Sequence, residues 1–243
     1  MTGLRAVLFD TYGTLVDWRS SILDELAAFG RARGLTHDWA AFLAEWKACY
    51  RPGMDAVNRG EAPWTTIEAI YARRLTELLG ARAIEASADD VRHLTRAWWR
   101  LRPWPDTVAG LTRLKRRHVI APLSNASFAG MVHLAKFAGL PWDCVITAEN
   151  ARRYKPHAEV YRTALTLLGL DAQEVMLAAA HNYDLAAAQA LGWRTAFVPR
   201  PLEYGPGQTT DLVAEGKRDV VVDSVEELAA TLAADRKGRG EPS

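Results

Sequence analysis

The 243-residue chain carries only two cysteines, Cys49 and Cys144. They lie far apart, with no CxxC and no histidine at metal-site spacing, which argues against a disulfide framework or a zinc site. That usage fits a reducing compartment, with both thiols serving as small apolar residues. An excess of charge of one sign is also missing. Thirty Lys+Arg against 29 Asp+Glu leave a formal charge of +1, so no global field favours nucleic acid or an anionic membrane, and a small-molecule partner is expected. No apolar run approaches the roughly 20 residues of a membrane span. A strand-like pattern begins within a few residues of Met1, leaving no room for a secretory leader, so a cytoplasmic protein is the expectation. Internal repeats and low-complexity runs are not evident.

What is present is an ordinary globular composition, 49% hydrophobic and 24% charged, long enough to bury a sizeable core. The stretch Arg5-Ala-Val-Leu-Phe-Asp-Thr-Tyr-Gly-Thr-Leu-Val-Asp17 organises the rest. An apolar run of strand length ends in Asp10, two threonines and Gly13. Read as a buried parallel strand, it presents Asp10 at its carboxyl end, where open α/β sheets bind ligands.

A helical pattern then runs from Trp18 to about Gly34, with Ser20 or Ser21 as candidate caps. A second stripe (Trp39, Phe42, Leu43, Trp46, Cys49, Tyr50) is expected to kink or end at Pro52-Gly53. Lys47 and Arg51 share its other side, which by itself reads as a solvated face. Helices from Thr65 to Gly80 and from Ser87 to about Arg100 follow, with Ser87 as a cap. Four consecutive helices without a strand indicate a bundle over residues 16–102, inserted into a core of 1–15 and 103–243, with Leu101–Asp106 as the return linker. Several of the nine tryptophans fall in this bundle, and at helical spacing they read as core.

From Asp106 onward strands and helices alternate: strands at 118–123, 144–147, 175–180, 195–198 and 220–222, a last helix from Ser224, and a tail from Arg236 expected to fray. Alternation of this kind means a doubly wound, mostly parallel α/β sheet. Its strand ends or their loops carry Asp10, Thr11 and Thr14, then Ser124 and Asn125, then Lys155, then Asp184. Taken singly, Thr14 and Ser124 read as loop caps, Asn125 as a turn former, Lys155 as a surface lysine and Asp184 as a helix cap. Parallel strands place all of them on one edge of the sheet, which makes one site of four weak signals.

These motifs in order (Phe-Asp-Thr-Tyr-Gly-Thr-Leu-Val-Asp, Leu-Ser-Asn, Tyr-Lys-Pro with Tyr161 six residues beyond the lysine, and Asn-Tyr-Asp) resemble the haloacid dehalogenase superfamily, type II 2-haloacid dehalogenase branch. The resemblance spans almost the whole chain. It implies a Rossmann-like core with a helical cap, and hydrolysis of short 2-haloalkanoic acids to 2-hydroxy acids through an aspartyl ester on Asp10. It also implies that Lys155 keeps Asp10 ionised, that Asp184 holds Lys155 and positions or deprotonates water, and that Thr14 hydrogen-bonds Asp10. Ser124 and the amides around Thr11, Tyr12 and Asn125 would hold the substrate carboxylate. Asn125 and a cap arginine would cradle the halide, and Tyr161 would support the lysine. Dimers are common among similar proteins, so a homodimer is compatible with it.

The sequence departs from that pattern in informative places. Phosphatases of the superfamily usually carry a second aspartate two residues after the nucleophile; here Tyr12 stands there, and the acid-rich last motif is reduced to Asp184. Two carboxylates are too few hard ligands for a dedicated magnesium site, so neither metal nor other cofactor is expected. The family arginine is replaced by Lys47, with Arg51 one turn on, and a lysine is a compact point charge rather than a planar donor fork. His181 precedes the last aspartate where asparagine is usual in the family, and is expected to orient water, to act as a base near neutral pH, or to be satisfied by backbone. The aromatic-rich cap is expected to favour haloacetates. A small-metabolite phosphatase and a non-catalytic binding protein are the competing functions.

Overall fold

The structure, a computed structural model, describes residues 3–237. Strand β1 (Ala6–Phe9) is buried along its whole length and is followed by a two-residue strand, β2 (Val16–Asp17). Five α-helices come next: α1 (Trp18–Arg31), α2 (Trp39–Lys47), α3 (Tyr50–Asn58), α4 (Ile67–Ala81) and α5 (Ala88–Thr95). The chain returns through β3 (Arg102–Pro103), antiparallel to β2. Beyond it lie α6 (Thr107–Lys115), β4 (Val119–Ser124), α7 (Phe128–Ala138), β5 (Ile146–Thr147), α8 (Ala148–Ala151) and α9 (Ala158–Leu168). Finally come β6 (Val175–Ala179), α10 (Asn182–Ala190), β7 (Arg194–Phe197), β8 (Val220–Val221) and α11 (Val225–Lys237).

The expected doubly wound α/β sheet is present: six parallel strands in the order β5-β4-β1-β6-β7-β8. Because β1 pairs with both β4 and β6, Asp10 lies at the centre of the carboxyl edge, flanked by the ends that carry Ser124-Asn125 and His181-Asp184. Val7, Leu8 and Phe9 have no exposed surface. Each such side chain contributes on the order of 1.5–3 kcal/mol by leaving water, so the strand that aims Asp10 is firmly held.

The helical stretch differs from the sequence reading in three places. The first helix is capped by Asp17, whose carboxylate accepts from the Ser20 amide, instead of by Ser20 or Ser21. The second breaks at Ala48–Cys49, before Pro52, which occupies the first turn of α3. Proline fits there because the first-turn amide has no intrahelical partner to lose. The fourth ends at Thr95 and tightens into a 3-10 turn, Arg96–Trp99. The return segment is also partly a strand, so the helices leave and rejoin the sheet through a β2–β3 ribbon. As expected, Ser87 caps α5, reinforced by Asp90 in a capping box. The expectation for the tail from Arg236 lies outside the described residues, apart from α11 reaching Lys237.

Tryptophans form the seam between helices and sheet. Trp46 and Trp98 are fully buried, and Trp98 stacks on Tyr71 at 4.3 Å between ring centroids. Cys49 is half-buried, with its thiol pushed up to about 11 chiefly by burial, whereas Cys144, expected like it to serve as a small apolar residue, is exposed.

Candidate active site

Asp10 ends β1 and is 7% exposed. Its backbone leads into a tight loop in which Gly13 adopts φ +87°. A side chain there is excluded on steric grounds as well, because a Cβ would stand 2.1 Å from an oxygen of Glu203. Thr14 follows, accepting from the Ala180 amide (2.9 Å) and donating to Asp10 Oδ2 (2.7 Å). Lys155 reaches the same carboxylate from the loop after α8, with Nζ 2.9 Å from Asp10 Oδ1, and also bonds Asp184 Oδ2. Asn125, at the end of β4, accepts from the Lys155 amide (2.8 Å) and so fixes where that side chain starts. Tyr161 on α9 donates to the other Asp184 oxygen.

On the far side of Asp10 stands His181, with Nδ1 2.9 Å from Oδ2. Its Nε2 faces the carboxylate of Glu203 at 3.0 and 3.1 Å. Trp18 donates its indole N–H to Glu203 (3.0 Å). Arg200, three residues before Glu203, ties this loop to the centre by bonding the Thr14 carbonyl (2.8 Å) and pairing with both oxygens of Asp106.

Burial alone would raise the pKa of the Asp10 carboxyl, but the charges of Lys155 and His181 outweigh it and hold the group far below the usual carboxylate range. For Asp184, complete burial and the nearby charge of Asp10 prevail over Lys155, and its carboxyl is shifted upward. Burial also opposes charge on Lys155 and His181, yet the paired carboxylates raise both above their ordinary values. Asp10 is therefore ionised and His181 protonated near neutral pH.

Asp10, His181 and Glu203 line one side of an open cleft of about 290 Å³, whose opposite wall comes from the helices. Lys47 projects into it with Nζ 3.4 Å from the centre of the Tyr50 ring and near the rings of Trp18 and Trp98. Its ammonium is brought down to about 8, first by burial, with Glu203 and Asp10 acting in the other direction. Arg51 lies at the mouth, half exposed, over the ring of Tyr183 at 4.8 Å and 3.8 Å from Asp55.

The family of haloacid dehalogenase-like hydrolases matches residues 4–192, most of the chain. The protein belongs to that family. Similar solved structures include an L-2-haloacid dehalogenase, 46% identical with a TM-score of 0.93, over 96% of this chain and 100% of that one. A defluorinating L-2-haloacid dehalogenase is 42% identical with a TM-score of 0.92, over 95% of each. Among curated relatives, the (S)-2-haloacid dehalogenase of Xanthobacter autotrophicus is 30% identical over 203 residues, covering 81% of this chain and 76% of the relative.

Within this haloacid dehalogenase-like chain, Asp10, Tyr12, Lys47, Arg51 and His181 all border the cleft. Thr14, Lys155, Asp184 and Tyr161 form a buried layer behind Asp10. Tyr12 does not stand in for an acid; its hydroxyl donates to the Trp98 carbonyl. The side chains of Ser124, Asn125 and Thr11 are buried and do not border the cleft. Ser124 accepts from the Ala126 amide, Asn125 bonds Lys155, Tyr50 and Met54, and the Thr11 hydroxyl has no partner among the described residues. His181 is satisfied by two carboxylates and not by backbone. Glu203 was not expected. The signal that points to it is the rule that found the others, since it lies on the loop leaving the carboxyl end of β7.

Proposed function

We propose that the protein hydrolyses short 2-haloalkanoic acids to 2-hydroxy acids, with Asp10 as the nucleophile. The observation that carries this reading is an ionised, desolvated carboxylate facing a small cleft, with a buried ammonium fixed against it. The resemblance to L-2-haloacid dehalogenases above 40% identity supports the same chemistry. An Asp10 oxygen attacks C2 of the substrate as the halide departs with its electron pair, leaving an aspartyl ester that water then cleaves. Halide needs no proton to leave, so the absence of an acid at Tyr12 costs the reaction nothing. Lys155 orients Asp10, and Asp184, with its oxygens taken by Lys155 and Tyr161, holds the lysine. Residues 16–102 act as a lid over a core of 1–15 and 103–243.

Halide release from chloro-, bromo- and fluoroacetate and from both enantiomers of 2-chloropropionate, without added metal, tests this reading. Release from at least one acid, with formation of the 2-hydroxy acid, is expected; the defluorinating relative is the reason to include fluoroacetate. Silence across the panel together with magnesium-dependent phosphate release from a sugar phosphate overturns it in favour of a phosphatase.

Lys47 supplies the anion-binding charge on the lid side in this reading. Because its ammonium titrates near 8, the cation is present below that pH and lost above it. KM for a haloacetate should therefore climb as pH rises through about 8. Lys47→Met should raise KM by roughly 10- to 100-fold at neutral pH, the worth of one charged hydrogen bond. Lys47→Arg, charged at every accessible pH, should remove the inflection.

A further inference from the structure

Two carboxylate oxygens of Asp10 are treated unequally by the fold. Among the described residues Oδ1 accepts from Lys155 alone, whereas Oδ2 accepts from both Thr14 (2.7 Å) and His181 (2.9 Å), which occupies its two lone pairs. The Thr14 proton has nowhere else to point, because its oxygen already accepts from the Ala180 amide. The free lone pair for attack on carbon thus belongs to Oδ1. Oδ2 is left to become the carbonyl oxygen of the ester.

We infer that Thr14 and His181 form an oxyanion site for the second half-reaction, and that Glu203 is a positioning residue that keeps His181 charged through it. The inference rests on the haloacid reading and adds to it a division of labour between the two oxygens. When water adds to Cγ of the ester, a new C–O bond forms and the carbonyl π pair moves onto Oδ2. The negative charge develops on an atom already held by two donors at 2.7 and 2.9 Å, the separations at which preorganised donors lower such barriers. Collapse restores the carboxyl group and breaks the bond between Cγ and the ester oxygen. One water proton ends on the product hydroxyl and the other is released to solvent, which with the departed halide accounts for the net acid formed.

Glu203 matters because esterification removes the charge of Asp10, one of two carboxylates that stabilise the imidazolium. A histidine 6% exposed with no other anion against it would shed a proton at that moment, and in the tautomer that keeps its hydrogen on Nε2 it would present only an acceptor to Oδ2. Glu203, 2% exposed and fixed by the Trp18 indole, remains in place on Nε2 throughout the cycle. Gly13 leaves the space its carboxylate occupies. The pair is thus packed against the loop that carries the nucleophile.

The test is pre-steady-state halide release from chloroacetate by wild type, Glu203→Gln and His181→Phe, with intact-protein mass spectrometry of quenched samples. Glu203→Gln should retain a rapid burst of one halide per site, then turn over about 10- to 100-fold more slowly. It should accumulate enzyme heavier by one carboxymethyl group on Asp10. His181→Phe should trap the ester at least as well, so either variant decides the matter if the other does not fold. Wild-type kcat in Glu203→Gln, or a slowed burst with no ester build-up, overturns the inference while leaving the haloacid reading intact. Failure of wild type to release halide overturns both.

Discussion

Asparagine at position 10 should reduce halide release by at least about 10⁴-fold, with the fold and the lid unchanged. The amide matches the carboxylate in size and can still accept from Thr14, Lys155 or His181, but it cannot form the ester. Wild type run for a single turnover in oxygen-labelled water should give unlabelled product, because the hydroxyl oxygen comes from Asp10, and the label should appear in the aspartate. Labelled product in the first turnover would mean that water attacks carbon directly and that Asp10 is not the nucleophile.

Lys155→Met should be the most destabilising single change in the site. The lysine is 1% exposed and lies between Asp10 and Asp184. Removing it leaves two carboxylates facing each other in a dry interior, at a cost of about 3–5 kcal/mol. For a chain of this size that is a fall in melting temperature of roughly 10 °C. Sign and pH follow from the shifts. Asp10, held below its ordinary value, contributes stability above about pH 4 that is lost as acid protonates it; Lys155, held above its ordinary value, contributes below about pH 10 and loses that contribution in alkali. The gap between wild type and variant should therefore be widest between these limits. It should narrow in acid, where the variant neutralises its carboxylates. Thermal melts at acid, neutral and alkaline pH measure this, and an equal gap at all three would show that the ion pair is not the source.

Sequence carried the position of the candidate residues on the sheet's carboxyl edge well because the signals there are physical necessities. An apolar run buried on both faces has to be a central strand, and a carboxylate directly after it has to lie at the sheet's edge. Ser87 and Gly139 end or begin helices by local hydrogen bonding and left-handed geometry, which the residue types announce. The parts that escaped notice depend on tertiary contacts. The ribbon of β2 and β3 is two residues a side, too short for any periodicity. The break at Ala48–Cys49 has no breaker residue, and Pro52, the obvious candidate, is instead tolerated in a first turn. Glu203 carries no motif, and it becomes meaningful only once His181, Trp18 and Gly13 are assembled around it.

Asn58 on α3 donates to the carbonyl of Tyr154 and accepts from its amide, both at 2.9 Å. This is the residue immediately before Lys155, and Trp64 packs against its ring at 4.9 Å between centroids. Across the sheet, Glu68 on α4 accepts from the Ser127 hydroxyl at the start of α7. A chimaera that borrowed its helices from a distant relative would have to import an equivalent of Asn58, or the loop that carries Lys155 would lose its anchor, and one of Glu68, or the start of α7 would lose its own. Attempts to widen substrate range by exchanging whole lids should consequently fare worse than changes confined to the rings around Lys47.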